Sequence, residues 1–430
     1  MNENESVGIK LSPDKLLAAS ASPHIRHGET TADIMRRVLI ALAPAFAWAV
    51  FVFGYRAAAL TLISVVSCMA FEFLWQKLMR RPVRIGDLSA AVTGALIAFG
   101  LPVGAPLWAP VVGGAFAVIL VKQLFGGVGM NIVNPAVAAH VFLFLSFGFM
   151  GAHHGAGEHR LPALELAPEI IAGPTPLVYL NEGIPPPSVG MLDLLLGYHS
   201  GLLGEVSALL LLAGGVYLMA SKVITWHIPV SFVGAVALVA FLAPRGADHI
   251  EFTASHVMAG GLMLGALFMA TDYATSPVSG AGKLIFGAGC GLITVFLRYF
   301  GAHLDGVWFA IMLMNMLVWC IDRLTKPKKF GGGAKKAGKK PGRYAPARRT
   351  LAIGAGCGAL CAALVSAGQE HSLAFAAAGF ALGALAFAGA RMRADFADPP
   401  KIFRGVPLEI ATAGLVAMAF AGLMGLEIAL

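Results

Sequence analysis

The chain has 430 residues, of which 58% are hydrophobic and 13% are charged, and its mean hydropathy is +0.77. A soluble domain carries about a quarter charged residues, so this composition excludes a soluble globular protein and predicts an all-α, polytopic membrane protein. The formal net charge of +8 arises from loops between apolar stretches, a pattern typical of membrane topology and not of nucleic-acid binding. The expected surroundings are therefore the lipid bilayer, and nucleic acid is not an expected partner.

Apolar stretches of about 20 residues predict membrane spans along most of the chain. Residues 1–34 are polar and contain acidic residues, so they predict an N-terminal segment outside the membrane without a cleavable signal peptide. The thirteen predicted spans are 36–54, 57–78, 87–103, 107–124, 134–150, 203–221, 228–243, 256–271, 283–300, 306–322, 350–367, 372–390 and 406–428.

Basic residues predict the orientation of these spans. With the N-terminus in the cytoplasm, each cluster of Lys and Arg that flanks the spans falls on the cytoplasmic side, as the positive-inside rule requires. The loop 151–202 falls on the other side and is mildly acidic. We therefore expect a cytoplasmic N-terminus and an external loop 151–202.

The segment from Lys122 to Ala136 interrupts an otherwise apolar region with three glycines, a proline, Asn131 and Asn134. Lipid cannot satisfy free backbone N–H and C=O groups, so an unwound segment survives there only inside protein or beside a water-filled cavity. Broken helices of this kind often hold ions, solutes or cofactors, although a tight turn between helices explains the same residues.

A basic linker divides the chain. Residues 326–349 contain ten Lys or Arg, no acidic residue and a run of three glycines, which predicts a solvated linker lying on anionic lipid. The predicted organisation is an N-terminal segment 1–34, a ten-span body 35–325, this linker 326–349 and a three-span tail 350–430.

Several short motifs, taken in order, resemble a known family, namely the D subunit of the Rnf electron-transport complex and its homologue, the B subunit of the sodium-pumping NADH:quinone reductase. The motifs cover about residues 20–330. They are Ser22-Pro-His-Ile-Arg26, Thr31-Ala-Asp-Ile-Met35, Asp87-Leu-Ser, Val92-Thr-Gly-Ala-Leu, Lys122-Gln-Leu-Phe-Gly-Gly-Val-Gly, Asn131-Ile-Val-Asn-Pro-Ala136, Met269-Ala-Thr-Asp272, Gly282-Lys-Leu-Ile-Phe-Gly287, Asp305-Gly-Val-Trp-Phe-Ala310 and Met314-Asn315.

The resemblance implies a body of two inverted five-helix repeats in a bacterial cytoplasmic membrane, assembled with the other subunits of an Rnf-type complex. It implies electron relay between ferredoxin and NAD, coupled to Na⁺ or H⁺ transport, with flavin mononucleotide (FMN) as cofactor and riboflavin as a further candidate. The chain lacks a Rossmann fingerprint, a Walker loop and a ferredoxin cysteine run, so the resemblance places the NAD and ferredoxin chemistry in partner subunits.

In this family FMN is joined to a threonine by a phosphoester, and the matching stretch here is Glu169-Ile-Ile-Ala-Gly-Pro-Thr-Pro-Leu177. Thr175 takes the acceptor position and Gly173 agrees with the family motif, which implies an external, covalently bound FMN. Ala172 and Pro174 depart from the motif where a flavin transferase would read it, as does the glutamate at 169. The alternative is an external proline-rich loop with a vestigial threonine.

Polar residues at or within spans are the natural supply of groups for a flavin or ion site, because they are costly in lipid and usually functional. We expect Asp87 and Asp272, near breaks in helices, to serve a flavin or ion site together with Asn131 and Asn134. Surface caps are the alternative. Two further residues, Lys122 and Asp322, are expected to be snorkelling anchors at the cytoplasmic interface. Tyr273 stands where the family usually has proline.

The tail resembles the second half of the Rnf A and E subunits, in which a cysteine ligates an iron–sulfur cluster within the membrane. Cys357 takes the ligand position, so the resemblance implies a metal site completed by cysteines of a partner chain. Two small buried thiols in a helix, Cys357 and Cys361, are the alternative.

Two other functions fit the sequence. Inverted repeats with broken helices also suit a secondary transporter or channel. The departures around Thr175 suit a diverged scaffold subunit that has lost its covalent flavin.

Overall fold

A computed structural model describes residues 29–147, 150, 154–156, 170–172, 175–182, 190–205, 207–245, 249–300 and 306–325. These residues form an all-α bundle with one small sheet, which confirms the predicted fold class. The tail 350–430 and the linker 326–349 lie outside the described residues, as do the last three predicted spans and Cys357.

The first half of the bundle runs from α1 to α5. Its helices are α1 (Thr31–Phe53), α2 (Tyr55–Leu78), α3 (Ser89–Phe99), α4 (Ala109–Ala115), which continues as a π-helix over Phe116–Gln123, and α5 (Pro135–Ser146).

Short elements connect this half to the second, which runs from α8 to α13. The connection contains β1 (His154–Ala156), antiparallel to β2 (Ile170–Ala172), then α6 (Pro176–Glu182) and α7 (Met191–Leu196). The second half comprises α8 (Ala208–Ala220), α9 (His227–Leu242), α10 (His249–Met258), α11 (Leu262–Leu264), which continues as a π-helix over Gly265–Met269, α12 (Gly280–Phe300) and α13 (Val307–Leu324).

The first ten predicted spans correspond to these helices. Four of them, α1, α2, α12 and α13, are long and apolar enough to cross a membrane unaided. The helix α10 and the α11 segment form a further span bent by 62°, and the other five apolar segments are 10–17 residues long. The body is thus built partly from short and broken helices, as the glycine-rich stretches predict.

The ends of the bundle are defined here by α1, as the Thr31 end and the Phe53 end. Arg37, near the start of α1, donates to the carbonyl of Ser221 just after α8 at 3.3 Å, so α8 finishes at the Thr31 end. Trp48, late in α1, donates to the carbonyl of Leu196 in α7 at 2.7 Å, so α7 lies at the Phe53 end. The first half therefore starts with α1 at the Thr31 end, whereas α8 starts at the Phe53 end. Opposite starting ends of this kind are the arrangement of inverted repeats.

Local sequence explains where the helices begin and end. Thr30 caps α1 through a reciprocal pair with Asp33, in which the threonine hydroxyl accepts from Asp33 N at 3.2 Å and the carboxylate accepts from Thr30 N at 3.1 Å. Gly54, with φ of 74°, forms the left-handed turn between α1 and α2. Asn134 caps α5 by accepting from Ala136 N at 3.0 Å, and Pro135 occupies the first helical position.

The bend between α10 and α11 is filled by a buried arginine from α12. Arg298 is 1% exposed and donates to the carbonyls of His256 at 2.6 Å and Ala259 at 3.1 Å. Carbonyls released at a helix end must find donors where water is absent. The guanidinium therefore makes the break tolerable inside the bundle.

Glycines bring helices into direct backbone contact. A Cβ at Gly94 of α3 would lie 2.7 Å from the carbonyl oxygen of Ser64 in α2, and the Ser64 hydroxyl donates to the Gly94 carbonyl at 2.6 Å. Gly214 of α8 meets the Ala41 carbonyl of α1 in the same way. In lipid the hydrophobic effect does not drive helices together, and small residues of this kind allow the close contact that holds them instead.

We expect Gly94→Ala to destabilise the protein by about 1–3 kcal/mol, because the added methyl group overlaps the α2 backbone and forces the helices apart. The matched control is Gly234→Ala in α9, where nothing lies within 4 Å of a new Cβ. Thermal unfolding of both variants in the same lipid nanodisc is the measurement. Equal midpoints for Gly94→Ala and wild type would contradict this packing.

Candidate functional site

A cavity of about 420 Å³ lies between the two halves of the bundle at the Thr31 end. Its walls come from α1, α3, α8, the segment before α5 and the segment after the Gly265–Met269 π-helix. The polar lining residues include Ser89, Thr93, Lys122, Asn131, Asn134, Thr271, Asp272 and Tyr273, and the apolar ones include Val92, Leu96, Leu218, Leu267 and Phe268.

Two asparagine contacts join the two halves beside the cavity, and a third holds the second half together. The Asn134 side chain donates to the carbonyl of Met269 at 3.0 Å while it caps α5. With its amide oriented to satisfy both neighbours, Asn315 of α13 donates to the Thr275 carbonyl at 3.0 Å and accepts from Asn134 N at 3.1 Å. All the backbone groups in these contacts belong to interrupted segments, so buried amides supply the missing hydrogen bonds.

Asp272 forms the acidic part of the cavity wall. Its carboxylate accepts from the hydroxyl of Thr275 at 3.1 Å and also interacts with the side chain of Asn131. The Asn131 amide donates to the carbonyl of Val133 at 3.1 Å. The structure therefore brings together three of the predicted site residues, Asn131, Asn134 and Asp272.

Tyr273 closes part of the same wall. Its ring lines the cavity and its hydroxyl donates to the carbonyl of Val223 in the turn between α8 and α9. The residue that stands in place of the family's proline therefore connects two loops across the Thr31 end.

Lys122 was expected to be a snorkelling anchor, and this expectation is wrong. The residue is 3% exposed, and its ammonium contacts Glu72 Oε1 at 2.9 Å, Glu72 Oε2 at 3.0 Å and Ser89 Oγ at 2.7 Å. Glu72, in the middle of the predicted span 57–78, is 1% exposed. The π-helical geometry over Phe116–Gln123 places Lys122 toward the bundle interior, where Glu72 offsets the cost of burying its charge.

Two amides complete the environment of Glu72. Gln123 donates to Glu72 Oε1 at 2.7 Å and Gln76 donates to the same oxygen at 3.3 Å. Sequence reasoning missed this cluster, although an ionisable residue inside a predicted span was a usable signal at Glu72. The serine that lines the cavity, Ser89, gave no comparable signal.

Asp87 and Asp322 act at helix ends. Asp87 is half-exposed and accepts from Ser89 N at 2.9 Å and from Ser89 Oγ at 2.6 Å, so it caps α3. It is absent from the cavity lining and reaches the cavity only through Ser89. Asp322 accepts from Val278 N at 3.0 Å and thereby joins α13 to the loop before α12, a contact that replaces the expected snorkelling role.

Thr175 lies at the other end of the molecule. It directly precedes α6, whose residues Leu177 and Leu180 pack with Leu194 of α7, Ala240 at the end of α9 and Phe252 of α10. These elements meet at the Phe53 end. The structure therefore separates Thr175 from the Asn131, Asn134 and Asp272 cluster, and one ligand cannot contact both.

Thr175 is 6% exposed, and its carbonyl accepts from Val178 N at 3.0 Å. A threonine followed by proline at the first helical position is a common helix start. A transferase that modified the hydroxyl would have to act before this segment packs or displace it. Gly173, the other predicted residue of this motif, lies outside the described residues.

The cysteines and possible metal ligands of the described part of the chain form no metal site. Cys68 and Cys290 are buried and Cys320 is half-buried, and all three are free thiols. Among the described residues, no group of three or more His, Cys, Asp or Glu side chains could hold a metal ion.

The fold and the cavity define a class: a polytopic membrane protein with two inverted helical halves and a polar cavity at their junction. The chain belongs to the NQR2, RnfD, RnfE family, whose model matches residues 18–331. The match ends near the start of the basic linker, so residues 332–430 lie beyond it. Membership in this family confirms the resemblance seen in the sequence motifs.

Three relatives illustrate this membership, and each is the D subunit of its complex. The one from the Na⁺-translocating ferredoxin:NAD⁺ oxidoreductase complex of Acetobacterium woodii is 44% identical over 317 residues, covering 73% of this chain and 95% of that protein. The one from the ion-translocating oxidoreductase complex of Stutzerimonas stutzeri is 37% identical over 70% of this chain and 92% of the relative. The one from the proton-translocating ferredoxin:NAD⁺ oxidoreductase complex of Clostridium ljungdahlii is 35% identical over 74% and 96%, respectively.

We expect Asn134→Ala to destabilise the protein by about 2 kcal/mol, because it removes both the α5 cap and a buried donor to the other half. Asn134→Ser keeps a capping oxygen and introduces no charge, so its loss should be smaller. Chemical denaturation in detergent measures both. Matching stabilities for Asn134→Ala and wild type would show that these contacts do not hold the halves together.

Proposed function

We propose that this chain is the flavin-carrying membrane subunit of an ion-translocating electron-transport complex of the ferredoxin:NAD⁺ oxidoreductase type. Family membership and the names of the three relatives support the class of complex and the presence of partner subunits. The cavity between the halves is the observation that supports the role of the chain itself, because its size and its mixed polar and apolar lining suit a planar cofactor. Since the relatives are named for both Na⁺ and H⁺, the proposal leaves the ion open.

The size and lining of the cavity suit an isoalloxazine ring. Cofactor sites measure about 300–1,000 Å³ and combine apolar walls with a few convergent polar groups. Here a volume of about 420 Å³ has an apolar side that includes Leu96, Leu267 and Phe268. Its polar side includes Lys122, Asn131 and Asp272, which hydrogen-bond within the protein and would meet the carbonyl groups and the N–H of the ring as fixed charges and dipoles.

A flavin bound there supplies one-electron chemistry, and the protein supplies its binding, orientation and electrostatics. Ser89 and Lys122 hold the edge of the cavity nearest α2, whereas Asn131 and Asp272 hold the loop side. Leu267 and Phe268 exclude water from the apolar face. Riboflavin, which has no phosphate, is the flavin that this cavity suits, because the phosphate of FMN would add a doubly charged group.

A second flavin, FMN joined to Thr175, is proposed for the Phe53 end. The 23 residues of α1 span about 35 Å, so two flavins at the two ends would place redox groups near both faces of the bilayer. A chain carrying both could relay electrons across the membrane between partner subunits. The burial of Thr175 favours the scaffold alternative, in which this threonine is only a helix cap.

The basic residues support an orientation for this relay. Arg36, Arg37, Lys77, Lys222 and Lys283 all lie at the Thr31 end. By the positive-inside rule this end faces the cytoplasm of a bacterial cell, and Thr175 then lies near the external face of the inner membrane.

Intact-mass analysis of the peptide containing Thr175 tests the covalent flavin. We expect wild type to carry the added mass of one FMN joined as a phosphoester, and Thr175→Ala to carry none. The matched control is Thr253→Ala, which removes an exposed hydroxyl from α10 at the same end of the bundle. An unmodified wild-type peptide from cells that contain the flavin transferase would establish Thr175 as a helix cap and support the scaffold alternative.

A second experiment tests the cavity. We expect purified wild type to release a non-covalent flavin on denaturation and Val92→Trp to retain at least about tenfold less, because an indole at this position fills the cavity. Val66→Trp on α2 is the control, since this side chain is 56% exposed and faces away from the cavity. A colourless wild-type protein that still moves a solute across vesicles would favour the transporter alternative.

A further inference from the structure

In the buried ion pair of Lys122 and Glu72, the lysine lies nearer the cavity than the glutamate does. Lys122 and its partner Ser89 belong to the cavity lining, whereas Glu72, Gln76 and Gln123 do not. The ammonium therefore lies between the carboxylate and the cavity. A ligand in the cavity meets the positive end of the pair first.

Two side-chain amides that lie outside the cavity lining also donate hydrogen bonds to the Glu72 carboxylate. Glu72 Oε1 accepts from Gln123 at 2.7 Å and from Gln76 at 3.3 Å, in addition to its contacts with Lys122. Gln76 is itself held by the backbone, since its Oε1 accepts from Arg84 N at 2.8 Å. These amides hold the Glu72 carboxylate on the side away from the cavity, so the Lys122 ammonium is the end of the pair that faces the cavity.

The other charged group of the cavity wall, Asp272, is engaged elsewhere. Its carboxylate interacts with Thr275, with Asn131 and with the backbone N–H of Ala274. Asp87 lies behind Ser89 and outside the cavity lining. Lys122 is therefore the cationic group of this cavity among the described residues that line it.

We propose that Lys122 is a positioning residue that favours the reduced form of the flavin in this cavity. The inference rests on the proposed function. Reduction by a one-electron donor of the iron–sulfur or flavin class in a partner subunit would oxidise that donor by one electron and add one negative charge to the neutral ring. No covalent bond of the chain forms or breaks. The Lys122 ammonium, itself 3% exposed, would stabilise the added charge because water screens a buried ammonium only weakly.

Glu72 has the opposite effect in this arrangement. Its carboxylate keeps the buried lysine charged and in place, but it also lowers the potential that the ammonium creates at the ring. With a cation that stays charged on its own at position 122, loss of the Glu72 carboxylate should therefore raise the reduction potential, whereas loss of both charges should lower it. A purely structural ion pair predicts no such opposition.

The test is redox titration of the non-covalent flavin in the purified full-length chain, with riboflavin added to saturation. We expect the double variant Lys122→Met with Glu72→Gln, which leaves no unpaired buried charge, to bind reduced relative to oxidised flavin about tenfold less well. For one electron this is a fall in potential of about 59 mV. Glu72→Gln combined with Lys122→Arg, whose guanidinium stays charged without the carboxylate, should raise the potential, and Lys122→Arg alone should stay close to wild type.

Lys77→Met is the matched control, because it removes an exposed lysine from the same end of the bundle. The proposal fails if the double variant Lys122→Met with Glu72→Gln binds riboflavin with an unchanged potential, or if Lys122→Arg with Glu72→Gln shifts the potential in that same direction. Absence of any dissociable flavin from wild type, even with added riboflavin, would instead overturn the proposed occupant of the cavity. The two failures are therefore distinguishable.

Discussion

The structure depends on one constraint: backbone groups freed inside a bilayer must find partners within the protein. The chain breaks its helices at several places, and at four of the loops or bends a buried or half-buried polar side chain supplies hydrogen bonds. Arg298 fills the bend between α10 and α11, and Asn134 and Asn315 bridge the segments before α5 and after the second π-helix. At the Phe53 end Arg56 donates to the carbonyl of Val103, in the loop after α3, at 2.9 Å. Each of these four is therefore held by hydrogen bonds from elsewhere in the bundle.

These breaks also create the space between the halves. Short helices and unwound segments leave a cavity that straight helices of full length would fill with side chains. Because the segments around it are fixed by hydrogen bonds, the cavity has defined walls of different chemistry. A redox cofactor needs such walls, since its potential depends on nearby dipoles and charges that do not rearrange with each electron.

Much of this architecture could be predicted from the sequence. A segment that crosses lipid must be mostly apolar, so hydropathy along the chain identifies the spans. Helices of the structure correspond in position to the ten predicted spans of the body, of which four are long enough to cross a membrane unaided, and the interruption around Asn131 and Asn134 is present. Asp272 was correctly associated with these asparagines because a carboxylate beside a helix break is costly without a function. The shared position of the basic clusters also follows from the sequence alone.

Other features could not be predicted because they depend on helix rotation and on contacts distant in sequence. Lys122 resembled an interfacial anchor, and only the local π-helix and Glu72, fifty residues earlier, turn it into a buried group. Asp87 was expected to contribute to a flavin or ion site, whereas in the structure its carboxylate accepts hydrogen bonds from Ser89 at the start of α3. Thr175 matched a flavin motif, yet its distance from Asp272 and its burial depend on how α6 packs against α9 and α10.

The amide bridge between the halves has a mechanical consequence. Asn134 contacts the second half through Met269 and Asn315, so any rocking of one half against the other must first break these hydrogen bonds beside the cavity. Transporters that alternate their access by such rocking keep the interface between their halves free to move. An interface held by hydrogen bonds instead keeps the distances between the two halves constant. This suits an electron carrier, because the rate of electron transfer depends steeply on the distance between redox groups.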